Sequence, residues 1–121
     1  MKILLVSVLL IYFGMTAHAQ IQVKLGYLSD YVGDSVTVCG KVESARYMKA
    51  ADDSITVINV GGKYPDQLLT IVIWRQHRSQ FAGSPEIDWI GKQVCVTGKV
   101  EIYNKKPEIV VKQTSQVQIQ E

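Results

Sequence analysis

Valine alternates with small or polar residues over Val36–Val42, and the same alternation returns 58 positions later. Val36-Thr-Val-Cys-Gly-Lys-Val-Glu43 is matched by Val94-Cys-Val-Thr-Gly-Lys-Val-Glu101, with six of eight residues identical. A period of two marks a strand with one buried face, so each copy predicts a strand, and Gly40 and Gly98 on its apolar side predict a bend or a close backbone approach. Three further runs follow: Ile55–Val60, closed by Gly61-Gly62 and Pro65; the β-branched run Leu68–Trp74; and Glu108–Lys112 with Val117–Ile119 as one interrupted strand. The second copy extends over Lys92–Tyr103 and ends in the polar turn Asn104-Lys-Lys-Pro107. Gln20–Asp34 reads as a lead-in and Ser44–Ser54 as a loop or frayed strand extension, while Arg75–Asp88, broken by Gly83 and Pro85, has room for one short helix.

The leading residues belong to a different pattern. Lys2, an apolar run from Ile3 to Phe13 and the ending Ala17-His-Ala19 have the layout of a secretory signal peptide, residues 1–19, with cleavage before Gln20. The run is short of the ~20 apolar residues that span a bilayer, so no transmembrane anchor is expected after cleavage. An exported product in the periplasm or outside the cell follows, and residues 20–121 form one domain with its core over about 35–119. With Lys2 set aside, the 13 basic side chains fall to 12 against 11 acidic ones, a net charge of about +1. Such a balance argues against tight, bulk-electrostatic binding of polyanions and leaves room for a local basic patch.

Both cysteines lie in the exported part, where an oxidising compartment favours a Cys39–Cys95 disulfide. Thr37 and Cys39 share one strand parity, as do Cys95 and Thr97, so antiparallel neighbours would put both thiols on one face. Two buried free thiols are the alternative, and a metal site lacks a ligand set, because His77 is the only histidine left after cleavage. No cofactor is expected. Neither a histidine-based dyad nor a matched carboxylate pair assembles: Asp52 and Asp53 are adjacent, and Glu86 or Asp88 would need tertiary proximity to act with them. The chain reads as non-enzymatic.

Five strands in this length, with the long connection between the third and fourth, predict an all-β, five-stranded Greek-key barrel, whose closure would remove the free edges of the apolar third strand. The residues Val38-Cys-Gly-Lys-Val42, Asn59-Val-Gly-Gly-Lys-Tyr-Pro65, Thr70-Ile-Val-Ile-Trp74, Gly91–Tyr103 and Lys106-Pro-Glu-Ile-Val110 resemble a family of small exported bacterial proteins. Its members are described as nucleic-acid-binding domains of the oligonucleotide/oligosaccharide-binding (OB) fold. The resemblance spans Ser35 to Ile119 and implies an OB-fold barrel whose ligand crosses the second and third strands.

On that reading the first-to-second loop offers Arg46, Tyr47 and Lys49, and the fourth-to-fifth loop offers Tyr103, Lys105 and Lys106. Aromatics that stack bases beside cations that meet phosphates suit a sequence-tolerant single-strand site. Lys63, Tyr64 and Arg75, with His77 and Arg78, form a second candidate patch, against the alternative of ordinary solvated surface. Trp74 and Trp89 read as core. The expected function is a non-enzymatic binding module of the cell envelope whose partner is weakly held single-stranded nucleic acid. The rivals are contact with another envelope protein, which would show as a contiguous exposed apolar patch or a free edge at the last strand, and a sugar or cell-wall fragment site.

Overall fold

The computed structural model of the protein describes residues 21–50 and 53–120. The expected signal peptide, and Asp52, lie outside the described residues. The strands are β1 (Ile21–Val23), β2 (Ser35–Met48), β3 (Ile55–Val60), β4 (Leu69–Trp74), β5 (Gln93–Lys99), β6 (Glu101–Tyr103), β7 (Lys106–Val110) and β8 (Val117–Gln120). A 3-10 helix at Leu25–Tyr31 follows β1, and a 3-10 turn at Thr114–Gln116 precedes β8. Two single-turn helices, α1 (Arg75–Arg78) and α2 (Pro85–Asp88), occupy the long connection, with Pro85 where its missing N–H costs nothing.

The two mirrored segments are antiparallel neighbours. β2 pairs with β5 from Ser35↔Lys99 to Lys41↔Gln93, which sets Thr37 opposite Thr97 and Cys39 opposite Cys95. The threonine hydroxyls share a hydrogen bond of 2.8 Å and the cysteines form the disulfide. Both glycines mark close approaches. A methyl group added at Gly40 would stand 2.6 Å from Val60 Cγ1, and one at Gly98 would stand 2.6 Å from Ile109 Cγ2. Beyond Val42 the register of β2 shifts and the strand continues against β3, so Ser44–Met48, read as loop or frayed extension, is strand.

The strand order is β6-β7-β4-β3-β2-β5-β8, with β1 added parallel to β2. This is an open, mixed, eight-stranded sheet, and it corrects the five-stranded OB-fold barrel. The reason lies in the last segment, read as one interrupted strand. It divides into β7, which runs parallel to β4, and β8, which runs antiparallel to β5, and no ladder joins β5 to β7. Between them stands the Gln116 side chain. Its amide donates to Thr97 O (3.0 Å) and Val110 O (3.4 Å), while its oxygen accepts from the Lys112 and Gln113 N–H groups (2.8 and 3.0 Å). Main-chain groups that a closing ladder would pair are satisfied by one glutamine instead.

One face of the sheet packs into the core, where Val36, Val38, Ile58, Ile71, Ile73 and Val96 are at most 1% exposed. Leu28 of the first 3-10 helix and Trp89 close the core, and Trp89 meets Phe81 edge to face at 5.6 Å. Trp89 is therefore core, as its sequence context predicts.

Candidate interaction surface

Residues opposite one another across strands point to the same side. The registers therefore place Arg46, Val57, Val72 and Val110 in one row on the outer face, away from the core, and Met48, Ile55 and Trp74 in the next. Val72 is only 2% exposed yet lies outside the core cluster, because its outer-face neighbours cover it. Val57, Val110, Ile55 and Trp74 are half-buried, and Met48 is exposed, so the two rows make a contiguous apolar strip.

The strip leads into a cleft of about 460 Å³ lined by Trp74, His77, Lys99, Glu101, Val110 and Lys112. The sequence context of Trp74 predicts core, and its parity corrects that: Leu69, Ile71 and Ile73 point inward, so Thr70, Val72 and Trp74 point outward. Lys112 and Gln116, also at this cleft, carry no local motif; the divided course of β7 and β8 brings them to Trp74.

On the other side of the strip lies a polar row. Asn59 donates to Ser44 Oγ (3.0 Å), which also accepts the Tyr64 N–H (3.2 Å), and Gln67 donates to Thr70 Oγ1 (3.1 Å). In the same row Glu108 of β7 stands directly opposite Glu101 of β6. Partial burial, and then the Glu101 charge, push the Glu108 carboxyl above its ordinary pKa.

The structure separates the candidate residues. Arg46 is exposed at the border of the apolar strip. Tyr47 points to the core side, and the Arg78 guanidinium covers its ring at 4.2 Å, so this aromatic face is already taken. Arg78 also donates to Thr56 Oγ1 (2.5 Å) and to both Glu86 oxygens (2.7 Å each). That contact with Arg78 holds the Glu86 carboxyl below the usual range and raises the guanidinium pKa. Lys49 and Arg75 are exposed at the same end of the sheet, where the Arg75 N–H bonds Ser54 O. Lys63 and Tyr64 lie at the opposite end, in the β3–β4 connection. Lys105 and Lys106 lie there as well, at the β6–β7 turn that Tyr103 opens. The nine residues thus form two groups at opposite ends, with two carboxylates on the face between them.

No family model matches the chain, and no curated protein matches it. Similarity to solved structures exists at the level of fold alone. A chain in the structure of RecG bound to a three-way DNA junction aligns with TM-score 0.59 and 22% identity, over 84% of this chain and 13% of that one. A chain in the crystal structure of yeast Stn1 and Ten1 aligns with TM-score 0.59 and 9% identity, over 87% and 65%. This chain thus spans about an eighth of the first and under two thirds of the second. The resemblance to small exported OB-fold proteins is corrected by the open sheet, and with it the function resting on a closed barrel and its loops. Among the described residues, no helix is long and apolar enough to cross a membrane.

Proposed function

We propose that the chain is a non-enzymatic module of the cell envelope that contacts another protein through the outer face of its open sheet. One observation carries this reading: the apolar strip of Ile55, Val57, Val72, Trp74 and Val110, contiguous across three strands and continued into the 460 Å³ cleft. A surface of that kind, bordered by Arg46, Lys99, Glu101 and Lys112, has the apolar centre and charged rim of a protein contact. The free edge of β8, which carries no charged residue or proline over Val117–Gln120, supports the same reading. Single-stranded nucleic acid on this face would meet the like-charged Glu101–Glu108 pair along its β6–β7 edge.

A photoactivatable residue at Val57, compared with one at exposed Ile87 of α2, which is tied to the core side of the sheet through Glu86 and Arg78, tests the proposal in the producing cells. A discrete protein adduct from position 57 alone is expected. Val57→Lys with Val110→Lys, shown to be folded by circular dichroism, should then weaken binding of the purified partner at least tenfold. Adducts equal at both positions would overturn the reading, as would a nuclease-sensitive adduct or saturable binding of mixed-sequence oligonucleotides at low salt.

A further inference from the structure

A second cavity, of about 210 Å³, lies at the end of the sheet remote from Trp74. It is bounded by the first 3-10 helix, the β3–β4 connection and the β6–β7 turn, through Leu25, Ser29, Gln67, Leu68, Lys106 and Pro107, and Lys105 stands at its rim. We infer that this cavity receives the free C-terminus of a peptide whose last side chain is apolar.

Three independent features select that chemistry. The first is charge: among the described residues, two lysines line the cavity and no carboxylate side chain does. They are held in place by a two-residue hairpin in which Asn104 and Lys105 both adopt left-handed backbone angles, φ 48° and 65°, with Tyr103 paired to Lys106 across it. A carboxylate meets these ammonium groups by charge-assisted hydrogen bonds.

The second is an acceptor waiting for a donor. Gln67 is 5% exposed, its Nε2 is committed to Thr70 Oγ1, and its Oε1 is buried without a partner among the described residues. Buried amide oxygens are nearly always satisfied, so one orphaned at the wall of a cavity fits a ligand N–H. The third is the apolar wall of half-buried Leu25 and Pro107 with exposed Leu68.

A carboxylate, an N–H and an apolar group within a few bonds of one another describe the terminal residue of a peptide. A simple fatty acid lacks the N–H, and inorganic phosphate lacks both the N–H and the apolar group. The volume lies below the roughly 300–1,000 Å³ of pockets that hold drug-sized ligands, which limits occupancy to one terminal residue. Backbone capture of a chain terminus is an established recognition mode, and here side chains take the same part. The outer-face contact shares none of these residues, so either inference can fail alone.

Amide chemical shifts of 15N-labelled protein, followed during titration, test the inference. The probes are acetyl-Ala-Ala-Ala-Leu with a free carboxylate, the same peptide as its C-terminal amide, 4-methylpentanoate and inorganic phosphate. The free-carboxylate peptide should give saturable shifts at Gly26, Ser29, Lys105 and the Gln67 side chain. The amidated peptide should bind at least tenfold more weakly, and 4-methylpentanoate and phosphate should also bind more weakly. Lys105→Ala with Lys106→Ala should lower peptide affinity at least tenfold while leaving core resonances in place. Gln67→Met, which keeps the shape and removes the acceptor, should erase the preference for peptide over 4-methylpentanoate and keep the preference for a carboxylate. Absence of saturation, or equal binding of the amidated peptide, would overturn the site. Equal binding of 4-methylpentanoate or phosphate by the unaltered protein would overturn the peptide assignment.

Discussion

Arg78→Ala offers the sharpest test of how the long β4–β5 connection is tied to the sheet. The guanidinium joins three partners: the Glu86 carboxylate through two bonds of 2.7 Å, the Thr56 hydroxyl, and the Tyr47 ring at 4.2 Å. The ion pair keeps some contact with water, at 22% and 13% side-chain exposure, so its own worth is discounted to roughly 1 kcal/mol. Cation–π contact adds about 0.5–1 kcal/mol. Thr56 is 0% exposed, and a hydroxyl left there without a partner costs about 1–3 kcal/mol. These terms overlap, and a loss of about 3 kcal/mol is expected. Urea unfolding would register it as a midpoint lower by roughly 1.5–3 M for a slope of 1–2 kcal/mol/M. Lys at position 78 should recover little, because an ammonium cannot make the forked contact or stack flat on Tyr47. Acid weakens the effect in a defined direction. Glu86 titrates below its unfolded value, so its share of stability is present above the unfolded carboxylate range and lost as pH falls through the lower folded pKa. A loss under 0.5 kcal/mol at neutral pH with unchanged slope would refute the reasoning. So would an Arg78–Glu86 coupling energy that stays constant down to pH 2.

Gly98→Ala forces a methyl against buried Ile109, and a loss of about 1–3 kcal/mol is expected as a Tm drop in calorimetry. Reduction of the disulfide, which spans 56 positions, should remove up to about 4 kcal/mol of stability in the chain-entropy account, measured by urea unfolding with and without reductant. Glu108→Gln should stabilise at neutral pH by about 0.2–1 kcal/mol, because it removes a like charge facing Glu101. The Glu108 carboxyl binds its proton more tightly in the folded state. The unaltered protein should therefore lose stability as pH rises from the unfolded carboxylate range through the higher folded value, and the Gln variant should lack that slope in urea titrations across pH.

Much of the fold was legible because local pattern and global pairing agree in this chain. The period of two at Val36–Val42 and Ile55–Val60 marked real strands. The shared parity of Thr37, Cys39, Cys95 and Thr97 predicts the bridge that the β2–β5 register makes. What was not legible depends on long-range partners. Whether Glu108–Ile119 closes a barrel or divides between two neighbours is decided by Gln116 reaching Thr97 and Val110, and a lone glutamine advertises no such role. The surroundings of single side chains depend on long-range partners in the same way. Nothing near Tyr47 in sequence announces that Arg78 covers its ring. Trp74 could have been placed by parity alone, since it alternates with Ile71 and Ile73, but the uniformly apolar run Leu68–Trp74 hid the two faces.

The ladder between β2 and β5 reads the same from either end. The repeat offset of 58 and the antiparallel register meet at Val38 opposite Val96, and a local dyad through that rung exchanges the two segments. Under it, Gly40 facing Val94 becomes Val36 facing Gly98, and the Thr37–Thr97 rung becomes the Cys39–Cys95 rung. One symmetric position is closed by a hydrogen bond and its mate by a covalent bond. Such a segment is self-complementary: the β2 stretch of one molecule fits the β2 stretch of another nearly as well as it fits its own β5. The disulfide therefore does more than staple. It ties each copy to the twin in its own chain and removes strand exchange between molecules from the available pairings, so mixed dimers should form on refolding only when the thiols are reduced or blocked.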